Sequence, residues 1–353
     1  MRYYAVFIPG FEDEIASIIR ERLSDVNIIK LVDGAVLFET GCTYDRLNFL
    51  CFNNIFALID ILEFGKSTDK SGNGQTTNYP ELHMKKALSG ILKNFSGQSS
   101  IIISDNNKKI KSFRLMFLSE NRPVSADEAL KQKTENLIAH NSGLRLDRSN
   151  PDTEFWFLYR REGFSLFMKR LTNHRINEKS LHKGELSPQL AWLMCCLAEL
   201  KYGETALDPF CGYGAIALAA RKHFPIKMMY ASDNDPKCVK YAQSGTGSAN
   251  TRAVVQKADF RSLSGLIPEK VDAVITDPPW GMYDTEIQLQ DFYDEMIAVF
   301  SGLIRSSGRA VVLTAAALEL ESAINRTQYF KITKIISILV SGVKAKVFVL
   351  QLP

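Results

Sequence analysis

Leu207-Asp208-Pro209-Phe210-Cys211-Gly212-Tyr213-Gly214 ends a short apolar strand and runs directly into a helical stretch, Ala215 to Lys222. Gly212 and Gly214 let the backbone turn tightly and come close to a ligand. The helix behind them offers unpaired N–H groups and the positive end of its dipole. In an α/β sheet such a turn lies at the carboxyl edge of a strand, where ligands bind. The glycines alone do not exclude a dinucleotide, because Ala217 at the third fingerprint position is a tolerated change. Asp208 tips the balance, since a carboxylate at the strand end suits a cationic amine better than a pyrophosphate.

Outward from this turn the chain alternates helix and strand. Downstream of Ser187 the pattern predicts helices over 188–200, 215–222, 236–244 and 289–304. It predicts strands over 205–207, 228–232, 254–257, 271–276 and 309–313. Such alternation implies a mainly parallel sheet covered on both faces. Two apolar segments, 331–339 and 346–352, close the chain with no helix between them, so they should form an antiparallel hairpin at one edge of the sheet.

Upstream the rhythm differs. Strands are expected over 2–8, 27–32, 35–38 and 57–64, with helices over 11–23 and 44–54; Asp33-Gly34 is a hairpin signal. Residues 66–79, rich in Ser, Thr, Gly, Asn and Lys without an apolar period, read as a linker. Beyond it lie a helix over 81–93, strands over 100–104 and 112–117, and a helix over 125–140 that opens with the capping-box spacing Ser125-x-x-Glu128. A strand pair over 154–160 and 164–169 is joined by Arg161-Glu162-Gly163.

Three further strand ends carry chemistry. Ala231-Ser232-Asp233-Asn234-Asp235-Pro236 places Asp233 about 20 residues after the glycine turn, where a carboxylate can hold both hydroxyls of a ribose. Asp235 before Pro236 reads as a helix cap. At Ala258-Asp259-Phe260, Asp259 can accept a hydrogen bond from an adenine amine, with Phe260 against the ring. Thr276-Asp277-Pro278-Pro279-Trp280-Gly281 is the most specific of the set. Two adjacent prolines stop the strand and hold the chain rigid and extended. The Asp277 carboxylate and the Pro278 carbonyl then face one way with the Trp280 ring beside them. That arrangement fits a planar group bearing an amine.

Composition limits the alternatives. The chain has 353 residues, 46% of them hydrophobic and 23% charged, which is ordinary for a globular protein of two or three domains. It has no apolar run of membrane-spanning length and no secretory leader, so a cytoplasmic protein without a membrane partner is the default. Six cysteines with no C-x-x-C pair and no histidine at ligand spacing make a zinc site or a disulfide framework improbable; no metal is expected. The net charge is +4. Basic residues gather in one stretch, Arg160, Arg161, Lys169, Arg170, Arg175, Lys179 and Lys183 against Glu162 and Glu178. This stretch is either a solvated face or a phosphate-binding surface. Oligomeric state is not legible, and a monomer is the default.

The run Asp208-Pro209-Phe210-Cys211-Gly212-x-Gly214, with Asp233, Asp259 and Asp277-Pro278-Pro279-Trp280, resembles the Rossmann-like class I methyltransferases that modify exocyclic amines of bases. Within them it is most similar to the THUMP-associated RNA methyltransferases that form N2-methylguanosine. Lys183-Gly184-Glu185-Leu186-Ser187-Pro188 resembles the segment that closes over the methionine part of the cofactor. Asn150 to Tyr159 with Gly163-Phe164-Ser165-Leu166 looks like the end of a THUMP domain. Gly10 to Ile15 and Gly34 to Glu39 resemble a preceding ferredoxin-like domain.

The resemblance implies an α/β fold: a seven-stranded, mainly parallel Rossmann-like sheet with an antiparallel terminal hairpin over 187–353. Before it would come a ferredoxin-like domain (1–65), a linker (66–80), a THUMP domain (81–172) and a connecting segment (173–186). It implies S-adenosyl-L-methionine as cofactor, held by Glu185, Leu186, Ser187, Asp208, Pro209, Phe210, Cys211, Gly212, Gly214, Asp233, Asn234, Asp259, Phe260 and Asp277. Asp277, Pro278, Pro279 and Trp280 would receive the base. Arg160, Arg161, Lys169, Arg170, Arg175 and Lys179 are the candidate contacts to RNA, with transfer RNA ahead of ribosomal RNA. Rival readings are a DNA adenine-N6 methyltransferase, a glutamine-amide methyltransferase and a non-catalytic RNA-binding protein. Tyr213, Ala215 and Trp280 depart from the usual small Ser or Thr, Thr and Tyr at these positions.

Overall fold

The computed structural model describes residues 1–44, 47, 49–64, 85, 89, 110–172, 181–246, 252–281 and 288–353. These form two compact units. One comprises residues 1–7, 12–48 and 52–175; the other comprises 8–11, 49–51 and 176–353.

The first unit holds β1 (Arg2–Val6), α1 (Glu12–Arg22), β2 (Asn27–Val32), β3 (Ala35–Glu39), β4 (Asn54–Glu63), β5 (Ser112–Ser119), β6 (Arg122–Pro123), α2 (Glu128–Ser142), β7 (Arg145–Leu146), β8 (Thr153–Arg160) and β9 (Phe164–Arg170). The strands form one sheet in the order β2-β3-β1-β4-β9-β8-β5-β6, with β7 beside β5. Side-chain alternation decides its two faces. Along β8, Phe155, Phe157 and Tyr159 join a core with Ile138 of α2, while Trp156 and Leu158 join the opposite core with Phe56 and Met168. Because β4 pairs with β9, strands from both proposed N-terminal domains share this sheet. The linker, the helix over 81–93 (apart from Lys85 and Ser89, which are helical) and the strand over 100–104 lie outside the described residues. The division of this unit into ferredoxin-like and THUMP domains is therefore kept as a proposal.

Two local expectations are corrected. Residues 49–53 are turn and loop, not the end of a helix, and β4 starts at Asn54. The cap of α2 is Asp127, whose carboxylate accepts the Leu130 N–H at 3.0 Å, and not Ser125. Asp and Ser serve about equally well as caps, so position decides between them.

The second unit holds α3 (Pro188–Leu197), β10 (Thr205–Asp208), α4 (Ala215–His223), β11 (Met228–Asp233), α5 (Pro236–Thr246), β12 (Ala253–Lys257), β13 (Val271–Thr276), α6 (Leu289–Leu303), β14 (Ile304–Thr314), α7 (Ala317–Thr327), β15 (Lys331–Val340) and β16 (Val343–Gln351). Its sheet runs β12-β11-β10-β13-β14-β16-β15. Neighbours from β12 to β14 are parallel, and β16 is antiparallel to both β14 and β15. The terminal hairpin turns at Ser341 and Gly342, both with positive φ, 49° and 85°. A two-residue loop of that kind matches the twist of its strands. Helix α7 was not expected from the sequence, although Leu320, Ala323 and Ile324 carry its buried stripe. Together with α6 it packs Phe292, Met296, Ile297, Phe300, Leu320 and Ile324 against Val274, Ala310 and Val312 of the sheet. Strand order reverses between β10 and β13, which makes their carboxyl ends the place where an α/β sheet binds ligands. No helix among the described residues is long and apolar enough to cross a membrane.

Candidate active site

Hydrogen bonds tie four strand ends into one rim. Asp208, the last residue of β10, accepts from the Thr276 hydroxyl at the end of β13 (2.7 Å) and from the Phe210 N–H (3.2 Å). The glycine turn is fastened to β11: the Gly212 N–H donates to the Asp233 carboxylate at 2.8 Å, and the Cys211 N–H donates to the Ser232 carbonyl at 2.8 Å. The second Asp233 oxygen accepts the Asp235 N–H at 2.9 Å. Each of its oxygens retains a lone pair for a ligand hydroxyl. Asp235 accepts from the Lys237 N–H at 2.8 Å, as expected of a cap. Asn234 donates to Asp259 at 3.1 Å, which joins β11 to the end of β12.

The Asp277 loop is braced on both sides. The Trp280 indole N–H donates to the Asp277 carboxylate at 2.8 Å, which fixes the ring and leaves the second carboxylate oxygen to a substrate. Behind the loop the Ala316 N–H donates to the Thr314 hydroxyl (2.9 Å), which lies 2.6 Å from the Tyr293 hydroxyl; the latter donates to the Pro279 carbonyl at 3.2 Å. Tyr293 is fully buried, and burial pushes its phenol far above the ordinary range, so it stays a neutral donor. Sequence reasoning missed Tyr293 and Thr314, because nothing in a helix stripe or a strand end says which hydroxyl reaches back to a loop. Tyr293→Phe should cost about 1–2 kcal/mol of unfolding free energy by leaving the Pro279 carbonyl and the Thr314 hydroxyl short of a partner. Urea titration would read this, and unchanged stability would show that the brace carries no energy.

The rim is acidic and poorly solvated. Burial pushes the Asp277 carboxyl up to about 8, against the pull of the Trp280 N–H and with a further push from Asp208. Burial likewise lifts Asp208 to about 7, opposed by the Thr276 hydroxyl and the Phe210 N–H and assisted by Asp233. All three donors to these carboxyls are neutral. A raised carboxyl pKa means that the folded state keeps protons which the unfolded chain has released. These groups therefore lower stability as pH rises from about 4 through about 8. The ligand-free protein should melt at a lower temperature at pH 8.5 than at pH 6. The slope should be shallower in Asp277→Asn, and equal slopes would remove that carboxyl from the account.

The remaining predicted residues divide. Ser187 caps α3, accepting the Leu190 N–H at 3.3 Å; Leu186 is buried; Glu185 accepts the His182 N–H at 2.9 Å. The Pro209 carbonyl accepts from the Ser232 hydroxyl, and Cys211 is buried. Phe260 is corrected: it is buried against Phe210 and Phe292 in the core and offers no face to a ligand. The basic stretch is corrected at three positions. Arg160 is buried and paired with Glu162 at 2.6 Å, and Lys169 is fully buried. Arg170 is held by Glu154 at 3.0 Å. Side chains buried or held in ion pairs in this way present little charge to a phosphate. Arg161 is exposed, while Arg175 and Lys179 lie outside the described residues. No cluster of metal-ligating side chains occurs among the described residues.

A reversed parallel sheet ending in an antiparallel hairpin, with a glycine turn and an Asp-Pro-Pro-Trp loop at its switch point, is the architecture of a Rossmann-like methyltransferase domain. Residues 175–344 match the model of the RMKL-like methyltransferase domain family. The chain is 28% identical over 200 residues to a tRNA (guanine(10)-N2)-dimethyltransferase of Methanothermobacter thermautotrophicus, covering 54% of this chain and 58% of that protein. It is 30% identical over 176 residues to a tRNA (guanine(6)-N2)-methyltransferase of Thermus thermophilus, covering 49% and 52%. The chain thus spans about half the length of these curated relatives. The crystal structure of TrmN from Thermus thermophilus superposes with a TM-score of 0.78 at 20% identity, covering 100% of this chain and 99% of that one. That likeness establishes the fold.

Proposed function

We propose that this protein is an S-adenosylmethionine-dependent RNA methyltransferase acting on the exocyclic N2 of a guanosine, with transfer RNA as substrate. The observation that carries the reading is the braced Asp277-Pro278-Pro279-Trp280 loop standing beside Asp208 where the strand order reverses. The names of the two tRNA guanine-N2 methyltransferases among its relatives support the choice of base and of RNA.

The rim suits the cofactor. Asp208 and Asp277 accept hydrogen bonds only from neutral donors among the described residues, so a cationic ligand would relieve two desolvated carboxyls. Asp208 and the backbone of Gly212 and Gly214 would hold the amino-acid end. Asp233 would take the ribose hydroxyls, and Asp259 with Asn234 the adenine edge. Bound there, S-adenosylmethionine supplies an electrophilic methyl group on a sulfonium.

The protein must then make a poor nucleophile attack. The lone pair of a guanine amine is delocalised into its ring. The free Asp277 oxygen and the Pro278 carbonyl would each accept one amine hydrogen, turning the lone pair toward the methyl group. Most of the rate would come from this orientation. With the cationic cofactor bound, Asp277 would be held ionised, and its burial-raised basicity would let it take up the proton that the amine loses once the carbon–nitrogen bond forms. A base taken out of its stack would find a new face on Trp280, whose ring is partly buried and fixed by its own N–H. The first unit is assigned the grip on RNA through shape and backbone contacts.

Incubation with tritiated cofactor and separate pools of RNA, DNA and protein tests the reading, followed by nucleoside mass spectrometry of the labelled pool. Label in RNA as N2-methylguanosine is expected. Label in DNA adenine or in glutamine, or in no pool despite cofactor binding, would overturn it.

A further inference from the structure

Three aromatic rings meet beside the glycine turn. His182 lies flat on Tyr213, with centroids 4.3 Å apart and planes at 12°. Tyr241 stands edge-on to both, at 4.8 Å from His182 and 5.3 Å from Tyr213. The rings come from three separate stretches of chain. Tyr213 sits between Gly212 and Gly214, whose φ values of 48° and 88° hold the turn open to a ligand. Tyr241 projects from α5. His182 lies in the segment leading into α3, and residues 182–187 form a closed unit. The His182 N–H donates to the Glu185 carboxylate, the Glu185 N–H donates to the His182 carbonyl at 3.0 Å, and the unit ends at the Ser187 cap.

The segment entering α3 is therefore held to the glycine turn at His182 by ring contacts. All the recorded ring contacts of this cluster, among the described residues, stay within the turn, α5 and His182. None goes to the loop that would receive the base. The cluster is thus placed to govern occupancy of the turn and not the transfer step.

We propose that His182, Tyr213 and Tyr241 form a cofactor-retaining clasp. By stacking, His182 holds residues 182–187 across the glycine turn and so sets the rate at which S-adenosylmethionine and its demethylated product leave. His182 and Tyr213 are positioning residues: they act through the strap and the turn. The proposal rests on the cofactor reading given above. Each ring pair of this kind shifts an equilibrium by roughly two- to tenfold.

The test uses the full chain with S-adenosylhomocysteine as probe, its affinity read by calorimetry and its release by stopped-flow fluorescence. His182→Ala and Tyr213→Ser should each weaken binding by about tenfold, almost wholly through faster release. Turnover at saturating cofactor should not fall, and the ligand-free protein should melt as the parent does. His182→Phe keeps a stacking ring and should return release to within about twofold of the parent. Parent-like release in His182→Ala overturns the clasp, as does a His182→Phe protein no better than His182→Ala. So does a drop in ligand-free melting that accounts for the lost affinity. A parent protein that binds the probe while His182→Ala is unaffected removes the clasp alone; a parent that binds neither probe nor cofactor removes the cofactor reading and the clasp with it.

Discussion

Replacing Asp277 with asparagine should lower methyl transfer by about a hundredfold or more while cofactor affinity stays within a few-fold of the parent, the loss expected when a positioned acid–base group is removed. The amide has the shape of the carboxyl and can still accept the Trp280 N–H, which donates to Asp277 at 2.8 Å in the native loop. It lacks the charge, and it cannot take up the proton that the amine must lose. Shape and chemistry are thereby separated. A variant that folds, binds cofactor and turns over within about tenfold of the parent, roughly 1.4 kcal/mol of barrier, would remove Asp277 from the mechanism. Trp280→Phe complements this test. It keeps a ring for stacking but frees the Asp277 oxygen, so any loss of rate reports how far the indole N–H orients the acceptor.

Gly214→Ala should damage the fold and the cofactor site together. Gly214 has φ 88°, a conformation that costs an L-residue about 1–2 kcal/mol. An added Cβ would also stand 2.8 Å from the Ala242 Cβ and 3.1 Å from the Ala242 Cα. The second contact is with helix backbone, which cannot swing aside. The first turn of α4 would have to move off α5, carrying with it the N–H groups that face the ligand. We expect a loss of about 2–4 kcal/mol in unfolding free energy and at least tenfold weaker cofactor binding. Gly212→Ala is the control. Its φ is 48°, and a Cβ there meets nothing within 4 Å, so backbone strain alone should appear. Equal effects at the two positions in denaturation and calorimetry would contradict the close approach of α4 and α5.

These two predictions rest on residues that the sequence identified. Turn chemistry and strand endings are local, so the glycine turn, the Asp-Pro-Pro-Trp loop and the acidic strand ends could be read from neighbouring residues alone. Strand–helix alternation, and the lack of a helix between the last two strands, likewise revealed the parallel sheet and its terminal hairpin. Departures arose where a rule left two candidates close in energy. Asp127 and Ser125 were comparable caps; α7 is a different case, since its stripe of Leu320, Ala323 and Ile324 is legible in the sequence.

What the sequence by itself determined, then, is the order of elements in the second unit apart from α7, and the identity of the candidate residues at its rim. Both follow from interactions between residues a few positions apart. Only the tertiary structure decided which way side chains point and what meets them. It turned Phe260 into the core, buried Arg160 and Lys169, drew the Tyr293 hydroxyl to Pro279, and laid His182 on Tyr213. The physical reason is that burial and pairing depend on groups 14 to 127 positions apart, from Tyr293 and Pro279 to Arg160 and Asp33. No local pattern encodes which of several nearby polar or aromatic groups will close such a distance.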